Sequence, residues 1–174
     1  IIGLDIRNNI GIEQPPADSK MMFLQYLHLG NNDGVINLNF NHNAFPNLRD
    51  LFLNGNKLTT FPDKSLKDSL ELLGIARCHL RIVPTYLSTF HKLKYLDLRD
   101  NNITYIDENL KKLIHENDFE SYFANNPICN IEKSIDCKPL CSKFCWSRKV
   151  SKDEYCDETC NSKECDFDGG DCDL

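Results

Sequence analysis

The sequence predicts an α/β spiral of short stacked repeats carrying one parallel sheet, followed by a small cysteine-stapled module. Two observations predict it. A nine-residue apolar phrase returns at steps of 23, 24, 22 and 23 residues, and eight of the nine cysteines crowd between Cys129 and Cys172. The first pattern is the mark of an array in which each unit buries its apolar face only against its neighbours. The second is the mark of a segment too small to hold itself together by apolar burial.

The phrase reads L-x-x-L-x-L-x-x-N. Its copies are Ile1, Leu4, Ile6, Asn9; Leu24, Leu27, Leu29, Asn32; Leu48, Leu51, Leu53, Asn56; Leu70, Leu73, Ile75, Cys78; and Leu93, Leu96, Leu98, Asn101. A degenerate sixth copy ends near Asn126, and two frames fit it, one through Phe123 and Asn126, the other through Phe119 and Tyr122. The alternation of apolar and polar residues is that of a strand with one buried face. Stacking at one repeat per step pairs each strand with the next in a parallel sheet. The Asn falls where the chain turns beneath the sheet, and its amide can satisfy backbone groups of adjacent turns. Cys78 takes that place in its copy and reads as a buried free thiol behaving as a small apolar residue. The return segments Leu58-x-x-Phe61-Pro62 and Leu80-x-x-Val83-Pro84 match each other. Asp107 can cap a helix that lays Ile106, Leu110, Leu113 and Ile114 along one face. Glu13-Gln14-Pro15-Pro16 reads as a loop.

These residues resemble the leucine-rich-repeat family over 1–128. The resemblance implies a curved solenoid with its parallel sheet on the concave side and a C-terminal cap over 129–140, where Cys129 and Cys137 sit in the place of a cap disulfide. Ile1 already lies in a strand, so sequence or a partner is expected against that edge, and a chain starting without Met reads as a mature or excised fragment.

The tail, 141–174, reads Cys141-x3-Cys145-x10-Cys156-x3-Cys160-x4-Cys165-x6-Cys172, with Asp168-Gly169-Gly170-Asp171 before the last cysteine. Six cysteines allow 15 pairings, and spacing does not choose among them. Calcium takes hard oxygen ligands on a loop that can wrap it, and the Gly-Gly turn holds Asp168 and Asp171 close together. Zinc is the runner-up, since its sites favour close cysteine pairs. It leaves the acids and glycines unexplained. The module resembles the Notch-type LNR repeat through Cys156-x3-Cys160-Asn161-x3-Cys165-x-Phe167-Asp168-Gly169-Gly170-Asp171-Cys172. The resemblance implies pairings Cys141–Cys165, Cys145–Cys160 and Cys156–Cys172. It also implies one Ca2+ held by Asp153, Asp168 and Asp171 with the main-chain oxygen of Tyr155. The chain departs from the family in lacking an Asp-Gly pair before Cys156, where Lys152-Asp153-Glu154-Tyr155 stands.

Composition bounds the function. A net charge of −6 argues against nucleic acid, which needs a basic face. No apolar run reaches the roughly 18–20 residues of a membrane span. His28, His42, His79, His91 and His115 form no metal pair, and no nucleophile elbow or phosphate loop is present, so no catalysis is expected. Disulfides imply a secreted or cell-surface location. The residues between the buried ones should face a partner, a protein or a glycan, on the concave sheet, with Tyr26, His28, Phe52, Leu72, Tyr95 and Arg99 as anchors. Asn102-Ile103-Thr104 is a glycosylation sequon, and Asn102 is its acceptor. The alternative function is a structural subunit of an extracellular filament, sheath or coat, self-associating through the repeat ends and the tail.

Overall fold

The computed structural model describes residues 1–9, 20–32, 35–36, 40–116, 118–138, 156, 160–165, 167 and 172. The chain divides into two compact units, Ile1–Asp136 and Cys137–Leu174.

The first unit is a stacked series of coils, each contributing one short strand to a common sheet. The strands are β1 (Gly3–Asp5), β2 (Tyr26–His28), β3 (Val35–Ile36), β4 (Asp50–Phe52), β5 (Lys57–Leu58), β6 (Leu72–Gly74), β7 (Tyr95–Asp97) and β8 (Glu120–Tyr122). Six of them form one parallel sheet in the order β1-β2-β4-β6-β7-β8, and β3 pairs with β5 in a second, parallel pair. The register is unbroken along the large sheet. Leu4, Leu27, Leu51, Leu73, Leu96 and Ser121 lie opposite one another in turn. Beneath them runs a closed apolar core in which Leu48, Leu51, Leu53, Leu70, Leu73, Ile75, Leu96 and Leu98 are fully buried. The phrase thus works as its spacing requires, since a three-residue strand cannot hide its leucine except against the neighbouring coil.

The β7–β8 pairing puts Tyr95 opposite Glu120 and Leu96 opposite Ser121. The sixth copy therefore runs through Phe123 and Asn126, which are both buried. A serine at the usual leucine position had hidden that frame.

The return segments are short helices or turns. Asp63 accepts from the N–H of Ser65 to open a 3-10 turn at Lys64–Asp68, which buries Leu66. Thr85–Thr89 follows Pro84 and buries Leu87. Helix α1 (Glu108–Ile114) is capped by Asp107, whose carboxylate accepts from the N–H of Asn109 and Leu110, and it buries Leu110 and Ile114. Helix α2 (Ile128–Ile131) closes the last coil. Lys111 ties the following segment back to α1 by donating to both Glu108 and Glu132, at 2.8 and 2.6 Å.

Each coil also turns through one left-handed residue immediately before its ladder position: Asn8, Asn31, Gly55, Arg77, Asp100 and Asn125 all have φ between 54° and 73°. Asn, Asp and Gly tolerate this conformation, and five of the six are of these types. At Gly55 a Cβ would lie 2.2 Å from Asn31 Oδ1, so close approach and positive φ both demand glycine there.

In the second unit, Cys156 is bonded to Cys172. Cys160 and Cys165 are disulfide-bonded and buried, and a 3-10 turn covers Lys163–Cys165. Phe167 adopts the left-handed conformation with φ 51°, and its N–H donates to the carbonyl of Ser162.

Candidate functional site

The spine of the first unit is a ladder of side-chain amides. Asn32 Oδ1 accepts from the N–H of Asn9 at 2.7 Å, and Asn56 Oδ1 from the N–H of Asn32 at 3.1 Å. Asn101 Oδ1 accepts from Cys78 and Leu80, both at 3.0 Å, and Asn126 Oδ1 from Ile103 at 3.0 Å. The amino halves donate to strand carbonyls of their own coil and the preceding one: Asn56 to Leu29 and Leu53, Asn101 to Ile75 and Leu98, Asn126 to Leu98 and Phe123. Backbone groups buried by the turn thereby find partners. At Cys78 the thiol stands in. Its Sγ lies 3.3 Å from the carbonyl oxygens of Leu53 and Ala76, and it has one proton to donate. Burial pushes this thiol up to about 12, against the pull of the Asn56 and Gly55 N–H groups. It is the free cysteine among the described residues, and it is inert.

Two rows of strand side chains stand on the concave face. Strand register places Gly3, Tyr26, Asp50, Leu72, Tyr95 and Glu120 in the first, and Asp5, His28, Phe52, Gly74, Asp97 and Tyr122 in the second. The aromatic members touch in series. Ring centroids are 6.1 Å apart for Tyr26–Phe52, 5.3 Å for His28–Phe52, 6.2 Å for Phe52–Tyr95 and 5.6 Å for Tyr95–Tyr122. Small residues make room for them. A Cβ on Gly74 would lie 2.5 Å from the Phe52 ring, and one on Gly30 would lie 2.9 Å from His28 Nε2.

This packing changes what the sheet presents. The outward-pointing anchors expected from strand alternation include Phe52, Tyr95, His28 and Arg99, yet these retain only 2, 5, 5 and 7% of their exposure. They are packed against their neighbours on the concave side instead of standing free in solvent. Tyr26 and Leu72 are half-buried, as are Asp50 between them and Glu120 beyond Tyr95. Truncating Phe52 or Tyr95 to Ala would open a cavity in this packing and cost stability as well as any contact with a partner.

Burial also governs the charges. His28 is depressed to about 4, chiefly by desolvation and then by the Arg7 guanidinium, so its ring is neutral at physiological pH. Its Nδ1 lies 3.1 Å from the Tyr26 hydroxyl. Asp50 is raised by burial and by nearby Glu71. Arg99 grips Asp97 through two parallel bonds of 2.9 and 2.8 Å, and its guanidinium lies 5.8 Å from the Tyr122 ring centre. Arg7 and Asp5 form the same grip at the other end of the sheet. The repeated phrase Leu-Asp-x-Arg-x-Asn, present in the first and fifth copies, could have revealed both pairs.

Asp153, Tyr155, Asp168 and Asp171, with Cys141 and Cys145, lie outside the described residues. Among the described residues, no grouping of His, Cys, Asp and Glu could hold a metal ion. Cys129 and Cys137 are each disulfide-bonded. Among the described residues no helix is long and apolar enough to cross a membrane.

A six-stranded parallel sheet built one strand per coil, laced by asparagine amides, defines an N-terminal leucine-rich-repeat domain, and the bonded cysteines that follow define a C-terminal LNR module. Family models agree: that of the leucine-rich repeat matches residues 92–113, and that of the LNR domain matches residues 135–173. Both kinds of module are non-catalytic scaffolds, and together they mark an extracellular, ligand-recognition type of protein. The chain is 37% identical over 83 residues to Toll-like receptor 2 of Homo sapiens and of Macaca mulatta, a match that covers 45% of this chain and 10% of each receptor. It is 34% identical over 80 residues to a transmembrane protein of African swine fever virus, covering 45% of this chain and 24% of that protein. The chain thus matches a quarter or less of the length of these curated relatives.

Proposed function

We propose that this chain is a secreted or cell-surface recognition module that holds a protein or glycan partner along the concave sheet, with a calcium-stabilised LNR tail. The observation that carries the reading is the first concave row. There Tyr26 and Leu72 stand half-exposed on either side of Asp50, against packed rings that cannot rearrange without cost. A rigid row of this kind loses little entropy on binding. The buried side chains Phe52, Tyr95, His28 and Arg99 fix the shape of this face by packing within and beside the row. The test is a fluorescent-labelled chain read on an array of extracellular ectodomains and glycans. Tyr26→Ser with Leu72→Lys should weaken every genuine signal by about ten-fold or more while the fold stays intact. Signals that survive the double change would refute the reading.

The tail's donor set is carboxylate and carbonyl oxygen, which suits a hard cation. Asp153, Asp168 and Asp171 would hold Ca2+ with the main-chain oxygen of Tyr155, and the ion would offset the mutual repulsion of these acids. Calorimetric titration of the full chain with calcium chloride should release or absorb heat and raise the melting temperature of the tail. Asp171→Ala should abolish both effects. No heat in the unaltered chain would overturn the assignment, and calcium-dependent polymers in light scattering would favour the filament reading over recognition.

A further inference from the structure

The fourth and fifth coils carry an exposed apolar pair that nothing described so far explains. Ile82 and Tyr105 keep 78 and 63% of their exposure. They occupy equivalent places in consecutive repeats, four residues beyond Cys78 and Asn101, and the coils that bear them are joined where the N–H of Asn102 donates to the carbonyl of Leu80 at 2.7 Å. Exposed apolar neighbours on a secreted protein are a liability unless something covers them.

The same turn offers the cover. Residues 102–106 follow the ladder with no helix or strand, and their side chains alternate: Asn102 exposed, Ile103 fully buried, Thr104 exposed. Buried Ile103 pins the segment to the core and sets the amide of Asn102 and the hydroxyl of Thr104 on the solvent side. The two adjacent asparagines divide the work. Asn101 is consumed by the ladder with four bonds of 2.9–3.0 Å, and Asn102 projects outward. Tyr105 follows three residues later, within reach of the first sugars of a chain on Asn102. A sugar ring has an apolar face that can lie on an aromatic ring.

We infer that Asn102 is N-glycosylated and that the glycan lies over Ile82 and Tyr105, closing the outer side of the repeat to association. The donor is a lipid-diphosphate-linked oligosaccharide supplied by the secretory pathway. Asn102 Nδ2 bonds to the anomeric carbon as the carbon–oxygen bond to the diphosphate breaks. The amide gives up one proton, the leaving lipid diphosphate takes up one, and no redox change occurs. The inference rests on the extracellular reading.

The test is expression of the full chain through the secretory pathway of a eukaryotic host, followed by intact-mass analysis before and after peptide N-glycosidase. The expected result is a mass loss on treatment, conversion of Asn102 to Asp, and no glycan in either Asn102→Gln or Thr104→Val. Removing the sugar enzymatically from folded protein should raise the fluorescence of an apolar-surface dye, and Ile82→Ser with Tyr105→Ser should cancel that rise. A secreted, disulfide-bonded chain of bare polypeptide mass overturns the inference and leaves the extracellular reading standing. A chain retained inside the cell with reduced thiols overturns both. A glycan whose removal leaves dye binding unchanged overturns the shielding.

Discussion

Replacing Asn101 by Ala will lower the unfolding free energy by about 3–5 kcal/mol, since each buried group left unpaired costs about 1–3 kcal/mol. The side chain is 8% exposed, accepts from the N–H groups of Cys78 and Leu80, and donates to the carbonyls of Ile75 and Leu98. Alanine takes this partner from Cys78, Leu80 and Ile75 at a place where water has little access, while the Leu98 carbonyl keeps the Asn126 amide. Urea unfolding should show the midpoint falling with little change in slope. The companion change Cys78→Asn should act in the opposite direction by about 1 kcal/mol, because an amide supplies two donors and an acceptor where the thiol supplies one proton. A loss under about 1 kcal/mol at Asn101 would mean that the ladder is decorative.

Acidification will unfold the repeat domain earlier than its carboxylates alone require. His28 is held at about 4 in the folded chain and rises to about 6.5 on unfolding. Between those values the unfolded chain binds a proton that the folded one refuses, so stability falls as pH falls through the window. The loss reaches about 3 kcal/mol near pH 4, at 1.36 kcal/mol per unit. His115 works with the opposite sign. Carbonyl oxygens of Lys111 and Ser134 face its two ring nitrogens and raise its value, so its contribution is present in acid and is lost as pH rises through that raised value. The ring is exposed, so that contribution is small. Asp5 and Arg7 flank His28, and Asp50 is raised by burial and by Glu71. The difference between the wild type and His28→Gln, followed by urea midpoint from pH 7 to 4, isolates the histidine. Parallel curves for the two chains would remove it as the cause.

The repeat was legible because its information is periodic. A leucine at every fourth and sixth place of the phrase has one physical use, and the ladder asparagines follow from the same count. The sixth coil resisted because Ser121 stands where a leucine belongs, so pattern alone could not choose between two frames. The capping role of Asp107 was readable, and so, with hindsight, was the left-handed turn, since Asn, Gly or Asp precedes five of the six ladder positions. The state of the concave face was not readable. Alternation says which side a residue takes, but whether Phe52 stands up or lies down depends on Gly74 one coil away. That dependence is set by the strand register, which no local pattern contains.

The thiol rung has a consequence for how the spiral comes apart. Every other described rung is an amide able to bond on both of its ends, whereas in the fourth coil the rung's one donated bond to the third coil is a thiol proton to the Leu53 carbonyl, beside the backbone ladder and the Asn54 bond to Ala76 that also join the two coils. Stacked coils share their strength with their neighbours, so a stack yields first at its weakest joint. Cys78 therefore marks the weakest rung of the side-chain ladder, and opening between coils is expected to start there, read as the earliest hydrogen exchange at this junction.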